Sequence, residues 1–204
     1  MSEIVFQPEA YFKRFVPEGD DLLKRLEAEA LREDIPIVGP LMGNLLSLMV
    51  QITGAKKILE LGTATGYSTI FLARAARKHK GTVTTLECDV EMTKRALANF
   101  QAAGLDQYID IHLGDALKIL ETLPQTFDFV FLDIEKQDYL PALISCGQLI
   151  KPGGLLFADN VAFPDAQPFL EYIHDSDAWQ PLSLLAFWPD HSPEKDAICL
   201  ALRC

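Results

Sequence analysis

Five short apolar runs, each followed by a stretch with helical spacing or a turn, fill residues 58–159 and leave few folds open to this chain. Residues 58–61, 82–87, 109–113, 127–132 and 155–159 read as strands, and 67–79, 90–103, 115–122 and 136–149 between them read as helices. Strands that alternate with helices in this way form a parallel sheet covered on both faces. After a helix at about 165–175, two further runs, 182–187 and 197–202, lie close enough to pair as an antiparallel hairpin at the sheet edge. The pattern therefore predicts an α/β fold with a seven-stranded, mostly parallel sheet. Two helices precede it. Residues 20–34 place Leu22, Leu23, Leu26, Ala30 and Leu31 on one face, and 40–53 end near Gly54. The expectation is a single domain over 1–204, with a helical cap on 1–54 and an α/β core on 55–204.

Composition narrows the function classes. At 49% hydrophobic and 23% charged residues the chain is ordinary for a globular protein, which rules out disorder. A net charge of −11 argues against a broad nucleic-acid surface. The richest apolar stretch, 41–50, is too short and too polar to span a membrane, and the N-terminus shows no basic region followed by an apolar run. Cys88, Cys146, Cys199 and Cys204 form no Cys-x-x-Cys pair and have no histidine at zinc-ligand spacing, which predicts reduced thiols in a cytoplasmic protein.

Open α/β sheets bind ligands beyond the carboxyl ends of their strands. That rule selects residues 60–66, Glu87, Gly114-Asp115, Asp133 and Asp159-Asn160. In Glu60-Leu61-Gly62-Thr63-Ala64-Thr65-Gly66-Tyr67-Ser68, glycines sit where a strand turns into a helix, so the backbone can approach a ligand. Glu87 ends the next strand, where a carboxylate can accept both hydroxyls of a ribose. A dinucleotide fingerprint would need glycines at 64 and 67, where this chain has Ala64 and Tyr67. No P-loop and no Gly-x-Ser-x-Gly elbow exists. The loop suits S-adenosylmethionine, which has a ribose and a carboxylate but no phosphate. Taken singly, Asp133 and Asp159 each read as helix caps. Together with Asn160, on adjacent strands about 4.8 Å apart, they make an all-oxygen set suited to Mg²⁺, Mn²⁺ or Ca²⁺. His79, His112, His174 and His191 show no metal-site spacing.

The stretch from Lys57 to Ser68 resembles the cofactor loop of cation-dependent class I O-methyltransferases, the relatives of caffeoyl-CoA and catechol O-methyltransferase. Further pieces agree in order: Leu86-Glu87-Cys88-Asp89, Gly114-Asp115-Ala116, Phe131-Leu132-Asp133-Ile134-Glu135-Lys136 with Tyr139, Lys151-Pro152-Gly153-Gly154, Ala158-Asp159-Asn160-Val161, and the earlier Ile35-Pro36-Ile37-Val38-Gly39-Pro40. The resemblance implies a Rossmann-like class I methyltransferase fold. It also implies an S-adenosylmethionine site made by Val38, Glu60, Gly62, Thr63, Ser68, Glu87, Cys88, Asp115, Ala116 and Asp133. Cys88, Ala116 and Ile134 would then pack near the adenine. It implies a divalent cation, with Mg²⁺ foremost, on Asp133, Asp159 and Asn160. Lys136 becomes the general base, working beside Asp133.

The acceptor implied is a small ortho-dihydroxy aromatic. A hydroxyuridine in tRNA, or S-adenosylmethionine binding without catalysis, are the alternatives. Relatives of this kind are often homodimers, and Leu41, Met42, Leu45, Leu46, Leu48 and Met49 crowd one helix with apolar groups. The chain departs from the family at Ile134-Glu135, where Ala-Asp is usual, and after Asn160, where Val161-Ala162-Phe163-Pro164-Asp165 replaces a longer loop. A more open pocket is expected there, walled by Phe163 and by Trp188 or Tyr11-Phe12.

Overall fold

In a computed structural model, which describes residues 4–124 and 126–204, the alternation becomes one seven-stranded sheet. The strands are β1 (Lys57–Leu61), β2 (Thr82–Glu87), β3 (Ile109–Leu113), β4 (Phe127–Leu132), β5 (Ile150–Ala158), β6 (Trp179–Phe187) and β7 (Lys195–Arg203), in the order β3-β2-β1-β4-β5-β7-β6. β1 to β5 run parallel, whereas β7 is antiparallel to β5 and β6 antiparallel to β7. The expected fold class, a mostly parallel seven-stranded sheet with an antiparallel C-terminal edge, therefore holds.

The helices are α1 (Pro8–Lys13), α2 (Asp21–Glu33), α3 (Gly39–Thr53), α4 (Tyr67–Arg77), α5 (Val90–Ala102), α6 (Ala116–Leu120), α7 (Tyr139–Leu149) and α8 (Gln167–Asp175). Strand alternation sorts them into two layers. Ile58, Val83, Phe129, Phe131 and Phe157 face α2 to α5, while Leu59, Leu61, Val130, Leu132 and Leu156 face α6 to α8. Each fully buried Leu or Phe contributes about 1.5–3 kcal/mol.

The six-residue α1 escaped the sequence reading because its aromatic residues do not face a core. Tyr11, Phe12 and Phe15 remain exposed. Ion pairs tie α1 to the β6–β7 hairpin, Lys13 to Asp190 at 2.8 Å and Glu9 to Lys195 at 3.3 Å. The apolar surface of α3 is used mostly within the chain. Met42, Leu46 and Val50 are fully covered, and Leu41, Leu45 and Met49 pack against the same core, which leaves Leu48 and Ile52 exposed. No helix among the described residues is long and apolar enough to cross a membrane. The four cysteines are free thiols, with Cys146 and Cys199 buried.

What positions the site is the way pairing runs past the strand ends. Gly62 donates to the Leu86 carbonyl, Asp133 to Leu61 and Asp159 to Leu132, each at 3.0 Å, and Gly114 donates to Glu87 at 2.7 Å. Residues distant in sequence are thus held in register along one rim.

Candidate functional site

A cavity of about 880 Å³ opens along that rim. Val38, Gly62, Thr63, Ser68, Glu87, Cys88, Asp115, Ala116, Asp133 and Ile134 all line it, as do Lys136 and Asn160. Two of the expected residues do not reach it. Glu60 and Asp159 have no exposed surface and lie behind the wall.

Glu60 supports the loop from beneath. Its carboxylate accepts from Ser68 Oγ at 2.6 Å, from Thr85 Oγ1 at 2.7 Å and from Thr69 Oγ1. Burial pushes its carboxyl up to about 7, against the pull of these three hydroxyls. Above it, Gly62 adopts φ +95°, and a Cβ there would stand 1.9 Å from the Asp133 carbonyl oxygen. Only glycine lets β1 and β4 end so close together. Ala64 is also left-handed, at φ +45°, and this turns its N–H toward Glu87.

Glu87 is the anchor of the loop. Oε2 accepts from the backbone N–H groups of Thr63 (3.2 Å) and Ala64 (2.7 Å), and Oε1 from those of Cys88 and Asp89 (both 2.9 Å). Asp115 caps α6 by accepting from Leu117 and Lys118. Its capping role and its place on the cavity wall coexist.

At the other end stand the acids of β4 and β5. Lys136 Nζ donates to Asp133 Oδ1 at 2.9 Å and to the Ile134 carbonyl at 3.0 Å. Burial raises the Asp133 carboxyl; the charge of Lys136 opposes the rise and that of Asp159 adds to it. Asn160 sits in the left-handed region at φ +49°, a strained conformation that asparagine tolerates best. Its Nδ2 donates to Asp196 Oδ2 at 2.6 Å, which leaves the amide oxygen as its uncommitted end. Asp159 accepts from the Asn160 N–H through Oδ1, and His191 Nε2 lies 2.8 Å from its Oδ2. Burial lowers the His191 pKa, but the Asp159 carboxylate outweighs this and holds it above the usual value.

Asp133 engages Lys136 through one oxygen only and Asn160 keeps its amide oxygen uncommitted, and such oxygens suit Mg²⁺, Mn²⁺ and Ca²⁺, whereas both oxygens of the buried Asp159 are already engaged by the Asn160 N–H and His191. Among the described residues no group of three or more His, Cys, Asp or Glu has metal-binding geometry.

The aromatic wall expected from the sequence does not form. Trp188 is buried in the core, and Phe163, Tyr11 and Phe12 lie outside the cavity lining. His191 and Ser192, at the tip of the β6–β7 hairpin, line it in their place, with residues 34–38. Spacing could not reveal His191 or Asp196, which lie 32 and 36 residues beyond their partners Asp159 and Asn160. Only the pairing of β7 with β5 brings them back.

Comparison with known proteins agrees with this geometry. The sequence profile of the O-methyltransferase family matches residues 17–166. A catechol O-methyltransferase from Niastella koreensis is 41% identical over 128 residues, covering 61% of this chain and 58% of that protein. Caffeoyl-CoA O-methyltransferase 2 from Zea mays is 34% identical over 143 residues, covering 64% and 54%. The matches thus span little more than half the length of these curated relatives. Among solved structures, the O-methyltransferase TomG from Streptomyces achromogenes, in complex with S-adenosylmethionine, superposes with a TM-score of 0.86 at 28% identity, covering 96% of this chain and 95% of that one. The O-methyltransferase from Bacillus cereus, in complex with S-adenosylhomocysteine, gives 0.85 at 27% identity over 97% of each chain.

Proposed function

The chain belongs to the O-methyltransferase family, and from that premise we propose that it transfers the methyl group of S-adenosylmethionine to one oxygen of a small ortho-dihydroxy aromatic, beside a divalent cation held by Asp133, Asp159 and Asn160. The observation that carries this reading is the position of Asp133. Its backbone is pinned beside the Gly62 loop, and its side chain shares one cavity with Lys136 and Asn160. Methyl donor and acceptor would therefore meet over a single residue.

On this reading the Gly62–Ser68 loop and the start of α4 receive the amino-acid end of the cofactor. Glu87 receives the ribose hydroxyls, and Cys88, Ala116 and Ile134 flank the adenine. Glu60 touches no ligand and acts through the Ser68 hydroxyl it holds. Asp133, Asp159 and Asn160 would hold a divalent cation, whose Lewis acidity would favour ionisation of the acceptor hydroxyl. Asp133 and Ile134 hold the Lys136 amine at the acceptor end; in its neutral form, with both N–H groups used on these two acceptors, its lone pair would take up the hydroxyl proton. The acceptor oxygen then attacks the sulfonium methyl in line, and S-adenosylhomocysteine leaves. Opposite charges neutralise each other in that step, so alignment within a dry cavity contributes most. Methyl transfer to catechol and to phenol, with and without EDTA, tests the reading. Turnover of catechol alone, abolished by EDTA, is expected; equal rates on the two acceptors, or full activity in EDTA, would refute it.

A further inference from the structure

We propose that Asn99 and Arg25 are positioning residues for the methyl donor. From behind the cavity wall they fix the Thr65–Gly66 peptide, and with it the start of α4, which receives the amino-acid end of S-adenosylmethionine. This rests on the cofactor reading above and gives roles to two residues that touch no ligand.

Asn99, on α5, is 5% exposed and stands between α2 and the loop. Its Nδ2 donates to the Thr65 carbonyl at 2.9 Å, and its Oδ1 accepts from Arg25 Nη2 at 3.0 Å. A carbonyl only accepts and a guanidinium only donates, so both neighbours select the same orientation of the amide. Arg25 is held in turn by Glu29, one helical turn on, at 2.9 Å. Among the described residues no backbone N–H donates to the Thr65 carbonyl, so without Asn99 a buried acceptor would go unpaired.

The same peptide is held on its other side. The Gly66 N–H donates to the Thr63 carbonyl at 2.8 Å, and a Cβ on Gly66 would run into the Phe100 ring of α5. Gly66 is the N-cap of α4 and has no side chain to cap it. The first-turn N–H groups of α4 are therefore left for a ligand, where Tyr67 and Ser68 line the cavity. Turning the Thr65–Gly66 peptide would re-aim those groups. α2 makes a second, independent tie to the same point, because the Tyr67 hydroxyl donates to Glu27. The chain that leaves α2 then supplies residues 34–38 of the cavity wall. One helix thus fixes both the wall and, through Asn99, the turn that faces it.

The test is calorimetry of the full chain with two ligands, S-adenosylhomocysteine and 5′-methylthioadenosine. The second keeps the adenine, ribose and sulfur but lacks the amino-acid end. Asn99→Asp keeps the size of the side chain and the partner of Arg25, and sets an oxygen against the Thr65 carbonyl. Its affinity for S-adenosylhomocysteine should fall about tenfold or more, with that for 5′-methylthioadenosine held within about twofold. Arg25→Met should show the same selectivity at about threefold. Its side chain is 47% exposed, so this variant decides the matter if Asn99→Asp does not fold. Equal losses on the two ligands, or unchanged S-adenosylhomocysteine affinity, would overturn the proposal. If the unaltered protein binds S-adenosylhomocysteine no more tightly than 5′-methylthioadenosine, the start of α4 receives no amino-acid end, and the proposal fails while nucleoside binding stands. If it binds neither ligand, the cofactor reading itself fails.

Discussion

Glu87→Gln should cost more than its near-identical shape suggests. Four backbone N–H groups donate to the carboxylate, two to each oxygen. An amide keeps one oxygen and turns the other into a donor. Whichever way it is flipped, two N–H groups, those of Thr63 and Ala64 or those of Cys88 and Asp89, face another N–H. Leaving a donor without an acceptor costs about 1–3 kcal/mol, and this site is only partly buried, so the low end applies to each. The pair then costs about 2 kcal/mol. Part of that destabilises the loop before any ligand arrives, and part removes the acceptor that ribose hydroxyls would use. Divided about equally, this lowers calorimetric affinity for S-adenosylhomocysteine roughly fivefold and the melting temperature of the unliganded protein by about 2–4 °C. Wild-type affinity and melting in Glu87→Gln would show that the carboxylate is a surface acid and that the loop holds itself.

Gly62→Ala places a Cβ 1.9 Å from the Asp133 carbonyl at φ +95°, so β1 and β4 must part at the site. A loss of at least about 3 kcal/mol in urea unfolding is expected, and a loss under 1 kcal/mol would refute the close approach. Glu60 gives a pH dependence. Its carboxyl is raised in the folded state to about 7 while the unfolded chain ionises near 4.5, so stability falls as pH rises through that window, by up to about 3 kcal/mol. Glu60→Gln should flatten that slope between pH 5 and 7.5, and an identical slope in variant and wild type would remove Glu60 as its cause. Lys136→Met should lower kcat on catechol about a hundredfold or more with S-adenosylhomocysteine affinity unchanged, and a kcat within tenfold would argue against a base role.

The sheet was legible because its signals are local. The runs 82–87, 109–113 and 127–132 coincide with β2, β3 and β4, and the glycines at 62 and 66 mark the turn into α4. The residues proposed for the cofactor were found on the cavity wall for the same reason, since each ends a strand or opens a helix. Glu60 is the exception. Spacing put it in the loop, but period-2 alternation with buried Leu59 and Leu61 left its side chain enclosed under Ser68, Thr69 and Thr85. The other end of the cavity depends on β7 lying against β5. That pairing brings Asp196 to Asn160 and His191 to Asp159, and no pattern near residues 159–160 announces either partner. The expected aromatic wall failed for the same reason. From the sequence Trp188 reads equally as a core residue or a pocket wall; the hairpin carries it into the core beside α3 and presents His191 to the cavity instead.

The charges around the cavity bear on which acceptor the proposed reaction would favour. Asp34, Glu87, Asp115, Asp133, Glu135 and Asp138 line it, with Lys136 the single lysine or arginine on the wall among the described residues. Such a wall attracts a sulfonium and a divalent cation and repels phosphates, most strongly at low ionic strength, where charge interactions extend about 30 Å at 0.01 M salt. An acceptor with a polyanionic carrier would have to hold its phosphates away from six carboxylates, with no arginine on the wall to receive them. A neutral catechol meets no such penalty. We therefore expect kcat/KM for free catechol to exceed that for caffeoyl-CoA, and the gap to narrow as salt rises from 0.01 to 0.3 M. A higher kcat/KM for caffeoyl-CoA at low salt would mean that a basic surface outside this cavity receives the carrier, and would overturn the argument from the wall.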